Sequence, residues 1–261
     1  MLTPEQSERY LRHILLREVG AQGQQRLLKT RVLIVGAGGL GAPIIQYLAA
    51  AGIGHIGIAD NDTVALSNLQ RQVIYKMNDV DRDKGSVAAD AIKALNPDVH
   101  VDVIKAKLGE PLGRKYFPDY DLVIEGVDSF EARYALNEAA IATRTPLLSA
   151  AIGRFSGQLS LFKPYAGDLP CYRCLVPNLP DQDDIYNCEE EGVLGPLAGV
   201  MGSLAALEAI KEILGIGVGL AGSLLIYDAL SLEFRRVQLP RDPECLACKG
   251  LERLIQSEAD D

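Results

Sequence analysis

Wholly apolar runs alternate with amphipathic ones along most of this chain. RVLIVG, residues 31–36, is apolar after its arginine, the pattern of a strand covered on both faces. APIIQYLAAAG follows as a helix closed by Gly52, and HIGIADND as a second strand. KGSVAADAIKALNP predicts a helix stopped by Pro97, and VHVDVIKAKL alternates like a strand. DLVIEGVD is a further core strand, with a helix after it through SFEARYALNEAAIATR. PLLSAAIGRFSGQLSLFKP predicts two more strands, PLAGVMGSLAALEAIKEILG a long helix, and SLLIYDALSLEFRRVQL a hairpin-like pair. At the start, Thr3-Pro4-Glu5-Gln6 fits a capping box with proline at the first helical position. An amphipathic helix is expected from there to about Glu18. Its apolar face would be Tyr10, Leu11, Ile14 and Leu15, with Arg9, Arg12 and Arg17 left to solvent or a partner. Strand-helix alternation early and paired strands later predict a single α/β domain over residues 1–261. Its fold is Rossmann-like, with a mixed, mainly parallel sheet.

From Val32 to Ala59 no charged residue occurs, a length that could span a bilayer. The run also carries many glycines, Pro43, Gln46 and His55, which suit a strand, a glycine turn, a buried helix and a second strand. The soluble reading is the expectation, with no membrane association. The first residues, MLTPEQSERYLRHILLREVG, are charged throughout and lack the apolar core of a signal peptide, so the cytoplasm is expected. A net charge of −9 argues against nucleic-acid binding, which needs a basic face.

The chemistry begins at GAGGLG, residues 36–41. Between a strand and a helix, Gly36 would allow a tight turn, Gly38 and its neighbour Gly39 a phosphate's approach, and Gly41 close helix-strand packing. Phosphate would then meet free amides at the helix start. Asp60 follows Gly41 by 19 residues, at the end of the next strand, where a carboxylate can hold ribose hydroxyls. No GxxxxGK[ST] is present, so a P-loop is excluded. The glycines alone would suit NAD, but none of the three histidines, His13, His55 and His100, falls in an obvious site. Instead DNDTVALSNLQRQ supplies Asp62, Asn68, Gln70, Arg71 and Gln72, with Lys84 beyond. Amides and cations suit a triphosphate, where charge builds on departing pyrophosphate. Asp128, closing DLVIEGVD at the carboxyl edge of the sheet, can hold Mg²⁺ against phosphate oxygens.

Five cysteines form the second constellation. CYRC supplies Cys171 and Cys174, and CLAC supplies Cys245 and Cys248. Two CxxC pairs match a closed tetrahedral Zn²⁺ site, one ion per chain, which would pin the C-terminal tail to the loop after Pro170. Disulfides are disfavoured without a secretion signal. Cys188 stands apart in VPNLPDQDDIYNCEEEG, a polar stretch expected to be a loop. Its thiol could act as a nucleophile or be an unpaired loop cysteine, and Glu189, Glu190 and Glu191 would oppose the thiolate.

RYLRHILL, VLIVGAGGLG, the DNDTVALSNLQRQ block, Lys84, GVDSFEARYALN, CYRC with CLAC, and NCEEEGVLGPLAGVMGSLAALEAIK together closely resemble the ThiF/MoeB/HesA family, bacterial relatives of ubiquitin-activating enzymes. The resemblance spans nearly the whole chain. It implies a nucleotidyltransferase that uses ATP to adenylate the C-terminal glycine of a small ubiquitin-like sulfur carrier ending in Gly-Gly. It implies an ATP site lined by Gly36 to Gly41, with Asp60 on the ribose. Asn68, Arg71, Gln72 and Lys84 would touch phosphates, and Asp128 would be the Mg²⁺-linked carboxylate. It also implies a homodimer in which Arg12, on the helix over residues 3–18, enters its partner's active site. The nucleotide part would cover about 30–150, and the carrier and zinc part about 150–250. Cys188 matches the family's candidate sulfur or thioester acceptor. Little chain follows CLACKG, so sulfur is expected from a separate donor, a cysteine desulfurase or rhodanese. Asp-Arg-Asp-Lys before Gly85 is closer to the thiamine type, while the long helix and tail resemble both the thiamine and molybdopterin types. Either carrier, or both, fits. Activation of a modifier for protein conjugation is the alternative; an NAD-dependent oxidoreductase is a more distant one.

Overall fold

The computed structural model describes residues 1–179, 192–249 and 251. Its strands are β1 (Arg31–Val35), β2 (His55–Ala59), β3 (His100–Ile104), β4 (Leu122–Glu125), β5 (Leu147–Gly153), β6 (Ser156–Phe162), β7 (Ser223–Asp228) and β8 (Glu233–Gln238). Among the described residues they form one sheet in the order β3-β2-β1-β4-β5-β6-β7-β8. The first five strands of that order run parallel, and β5 to β8 pair antiparallel. The chain therefore has the mixed, mainly parallel α/β sheet that the sequence predicts.

Helices cover both faces. α4 (Gly41–Ala51), α5 (Lys84–Leu95) and α9 (Gly195–Leu214) lie on one side, where Val32, Ile34, Ile56, Ile58, Ile124 and Leu148 meet Ile44, Leu48, Val87, Ile92 and Met201. α6 (Glu110–Tyr116) and α7 (Phe130–Thr143) lie on the other, where Leu33, Val35, Val123 and Phe162 meet Phe117, Leu136 and Ala139. Neighbouring residues of β1 thus enter opposite cores, which is why its sequence is apolar at each step after Arg31. The charge-free run from Val32 to Ala59 resolves into β1, the glycine turn, α4 and β2. Among the described residues no helix is long and apolar enough to cross a membrane. α9 packs tightly on α4: a Cβ on Gly202 would stand 2.3 Å from Cγ of Pro43.

Three expectations change. The single helix over 3–18 becomes α1 (Pro4–Arg9) and α2 (Leu11–Ile14), separated at Tyr10. The capping box is present, Gln6 N donating to the Thr3 hydroxyl and Thr3 N to the Gln6 side chain, both at 3.1 Å. Tyr10 breaks the helix because its side chain turns inward: its hydroxyl accepts from Asn96 Nδ2 at 2.8 Å, and its ring lies over Gly52. Of the expected apolar face only Tyr10 is buried, while Leu11 and Leu15 are exposed. α3 (Gly20–Leu27) and α6 carry glycine within short segments, a weak helical signal. Third, β4 ends at Glu125, so Asp128 stands in the loop before α7 and does not close the strand.

Candidate functional site

The carboxyl ends of the parallel strands open into a cleft of about 560 Å³. Its first wall is the turn between β1 and α4. Gly36 has φ +92°, a conformation that favours glycine, and a Cβ on Gly41 would fall 2.0 Å from the Gly36 carbonyl oxygen. Gly36 thus makes the turn and Gly41 the close helix-strand packing, as the glycine pattern predicts. Gly41 lies behind the cleft, while Gly38 and Gly39 line it. α4 starts without a side-chain cap, and the amides of Gly38, Gly39 and Leu40 have no hydrogen-bond partner among the described residues. They form a cradle of free donors with positive helix-end character, suited to an anion.

Asp60 follows β2 and faces this turn. Its Oδ2 accepts from Ala37 N at 2.7 Å and its Oδ1 from Asp62 N at 2.8 Å. Burial pushes its carboxyl up from the ordinary range, opposed by those two amides and by Lys84. Each oxygen keeps lone-pair capacity toward the cleft. Lys84 opens α5 and is buried; its Nζ donates to Asp62 Oδ2 at 3.0 Å. The cation is thus held at the wall by Asp62, which the sequence alone does not reveal.

The donor row folds back by a tight turn. Asn68 Oδ1 accepts from Ala65 N at 3.1 Å, and the Asn68 carbonyl accepts from Arg71 N at 3.1 Å and Gln72 N at 2.9 Å. Arg71 and Gln72 thereby lie along the glycine turn: Arg71 Cγ and Cδ are 3.5 Å from a Cβ built on Gly39, and Gln72 Nε2 is 3.6 Å from one built on Gly38. Gln72 is 3% exposed, and its Oε1 has no partner among the described residues. Tyr75, absent from the sequence reading, locks the segment by donating its hydroxyl to the Ala37 carbonyl at 2.7 Å.

Asp128 is exposed and lines the same cleft, without a hydrogen-bond partner among the described residues. The same cleft is also lined by Ser149 of β5, Gln158 of β6, Tyr172 and Leu175 of α8 (Tyr172–Leu175), and Val176. The structure therefore brings Gly38, Gly39, Asp60, Asp62, Asn68, Arg71, Gln72, Lys84 and Asp128 to one cleft. Arg12 is not part of it; it lies exposed on α2. Cys188 is outside the described residues.

The two CxxC pairs do meet. Cys171 Sγ is 3.6 Å from Cys245 Sγ and 4.0 Å from Cys174 Sγ, and Cys174 Sγ is 3.6 Å from Cys248 Sγ. Four sulfurs about 2.3 Å from a tetrahedral Zn²⁺ would stand about 3.8 Å apart, so the donor set fits that ion. Asp242 N donates to Cys174 Sγ at 3.5 Å, a contact that favours thiolate. Hydrogen bonding from Cys248 pulls the Cys171 thiol down to about 5, while burial pushes Cys174 up to about 11. A bound dication favours the thiolate form of each sulfur that ligates it.

A second ligand-like group, His55, His100 and Asp102, lies at the opposite edge of the sheet. His55 Nε2 is 2.6 Å from Asp102 Oδ2, and Arg31 Nη1 is 2.8 Å from His55 Nδ1. Arginine only donates, so Nδ1 accepts and Nε2 carries the hydrogen. A metal on Nε2 would need Nδ1 protonated and facing a carbonyl or carboxylate, and here it faces a guanidinium. This group does not fit a metal site.

An α/β protein with a free-amide glycine turn, a carboxylate after the second strand and, in the same cleft, a second carboxylate without a partner among the described residues belongs to the nucleotide-binding class. The ThiF family model matches residues 10–247, and this chain belongs to the ThiF family. It is 45% identical over 249 residues to the sulfur carrier protein adenylyltransferase of Thermus thermophilus, covering 94% of this chain and 92% of that one. It is 43% identical to the SAMP-activating enzyme E1 of Haloferax volcanii, covering 95% and 90%. Among solved structures, E. coli MccB with ATP superposes with a TM-score of 0.79 at 24% identity, covering 92% of this chain and 74% of that one, a likeness of fold.

Proposed function

We propose that this chain adenylates the C-terminal glycine of a small ubiquitin-like sulfur carrier, consuming ATP and releasing pyrophosphate. One observation carries the reading: the glycine-turn cradle, Arg71 and Asp128 line the same cleft of about 560 Å³ as Tyr172, Leu175 and Val176, beyond the residues a nucleotide's phosphates and ribose would use. The names of the two close relatives support it.

The carrier's terminal carboxylate is already ionised at neutral pH, so no general base is needed. A carboxylate oxygen bonds to the α-phosphorus, the bond to the pyrophosphate oxygen breaks, and an acyl-adenylate remains for sulfur transfer. The chain must bring two anions together. The amides of Gly38 to Leu40 cradle phosphate, Asp60 holds the ribose, and Asn68, Arg71, Gln72 and Lys84 face the charge that develops on pyrophosphate. Asp128 would hold Mg²⁺, which neutralises phosphate charge when bound. The four-cysteine cluster would hold one structural Zn²⁺ per chain.

Exposed Leu11, Leu15 and Leu16 around exposed Arg12 support a homodimer in which Arg12 of one protomer reaches its partner's cleft. Sulfur would come from a separate cysteine desulfurase or rhodanese, and the protein would work in the cytoplasm as one domain over 1–261. ATP-pyrophosphate exchange tests the reading, with a molybdopterin-type and a thiazole-type carrier run in parallel. Exchange with one assigns the pathway, exchange with both makes the enzyme a shared activator, and exchange with neither overturns the proposal. Likeness to the SAMP-activating enzyme favours a second reading, activation of a modifier for conjugation. It would need a thioester on a cysteine, for which Cys188 is the candidate.

A further inference from the structure

Beneath Asp128 lies a buried ion pair that the adenylation chemistry does not use. Glu125 ends β4 and is 1% exposed, and Arg133, in the second turn of α7, is 8% exposed. Arg133 Nη1 donates to Glu125 Oε1 at 2.8 Å and to Ser149 Oγ at 3.0 Å. Its Nη2 donates to the Val127 carbonyl at 2.6 Å and to the Ala150 carbonyl at 3.0 Å. Glu125 Oε2 accepts from Val127 N at 3.1 Å, and the Ser149 hydroxyl donates to Glu125 Oε1. Both backbone polar groups of Val127, the residue before Asp128, are therefore held by this pair. On the other side, Ser129 caps α7, its hydroxyl accepting from Ala132 N at 3.2 Å. Asp128 itself has no side-chain hydrogen bond among the described residues.

We infer that Glu125, Arg133 and Ser149 are positioning residues: they fix the loop at Val127 so that Asp128 projects into the cleft in one orientation. Arg133 lines the cleft but is not a free cation for substrate, since its four Nη hydrogens are all donated within the protein. A buried ion pair gains little net stability over apolar packing, because desolvation offsets its Coulomb attraction. What this one supplies is a single geometry across β4, β5 and α7. Asp128 resembles a metal ligand whose backbone, rather than its carboxylate, is tied down, and outer partners of metal ligands typically tune affinity by about 10–100-fold. The inference rests on the proposal that Asp128 holds Mg²⁺ beside ATP.

The test uses the whole protein and calorimetric binding of ATP over a Mg²⁺ series, with AMP binding without Mg²⁺ as control. Arg133→Lys cannot reproduce the planar fork. It is expected to raise the Mg²⁺ needed for half-maximal strengthening of ATP binding about tenfold. AMP affinity should stay within about twofold. Ser149→Ala removes one hydroxyl and should shift the Mg²⁺ requirement in the same direction by less; it decides the matter if Arg133→Lys does not fold. An unchanged Mg²⁺ requirement in the folded variants, with only the melting temperature moved, overturns the inference. Wild-type protein that binds ATP with Mg²⁺ yet exchanges pyrophosphate with no carrier sinks the adenylation reading alone, and the Mg²⁺ comparison still decides the loop.

Discussion

The two ends of the parallel strands both carry polar residues, but among the described residues only the carboxyl ends leave some of them without a partner. At the amino ends, each such group is matched within the protein. Arg31 reaches His55 and, through Nε, the Asp119 carbonyl at 2.5 Å, and its guanidinium lies 5.4 Å from the Tyr120 ring centroid. Asp102 takes His55 on one oxygen and His100, at 3.3 Å, on the other. At the carboxyl ends, Asp128 and the amides of Gly38 to Leu40 have no partner among the described residues. Paired polar groups hold strands in register, and groups with unspent capacity bind ligands. The positions richest in histidine are therefore the structural ones, and the site runs on amides, carboxylates and cations.

Mutation should separate the two ends. Asp128→Ala should give the largest effect. It is expected to lower pyrophosphate exchange by about 10²–10³-fold, the range for losing one group that stabilises developing charge, with the melting temperature unchanged. Near-normal exchange would remove Asp128 from its proposed role. The cysteine cluster borders the cleft but is paired like the amino ends, so it sharpens the contrast. Cys174→Ser should lose the metal and melt at least about 5 °C lower, at roughly 2–4 °C per kcal/mol for a chain of this size. Metal analysis and a thermal scan check this, and a variant that keeps both the metal and the melting temperature contradicts the zinc reading. Arg31→Ala should cost about 1–3 kcal/mol of stability, typical for losing a hydrogen bond to a charged group, with exchange intact below the melting range.

The smallest expected effect is the pH response of the same cluster. Burial, against the pull of Asp102, holds His55 below the ordinary imidazole range, and Arg31 and His100 add to the lowering. An unfolded chain takes up the proton first. The stabilisation is therefore complete above about pH 6.5 and is lost as pH falls through the lower folded value. Denaturant titrations at a series of pH values should show this slope in the wild type and a flatter one in His55→Asn.

Much of this was legible because strand and helix periods leave local marks. β1, α4 with Gly52, β2, α5, α7 and the β5 to β8 hairpins follow from apolar runs and stop residues. The glycine turn, Asp60 and the cysteine pairs carry their chemistry in their spacing. Tyr10 was legible as buried but not as a helix break, since its partner Asn96 is distant in sequence. Tyr75, Glu125 and Arg133 were missed for the same reason. Nothing in GVDSFEAR says that its arginine turns back beneath its own loop.

The close seat of α9 on α4 has a consequence for synthesis. A nascent chain that has emerged as far as Phe162 already contains all five parallel strands, the glycine turn and the donor row. It still lacks Leu197, Met201, Ala205 and Ile213, which close the apolar face over β4, β5 and β6. The chain up to Phe162 must therefore wait, with part of its core open to solvent, until the helix from Gly195 leaves the ribosome. Truncation before Gly195 would remove the lid of the core along with the residues beyond it, and such a fragment is a substrate for chaperones and proteases rather than a smaller nucleotide-binding protein.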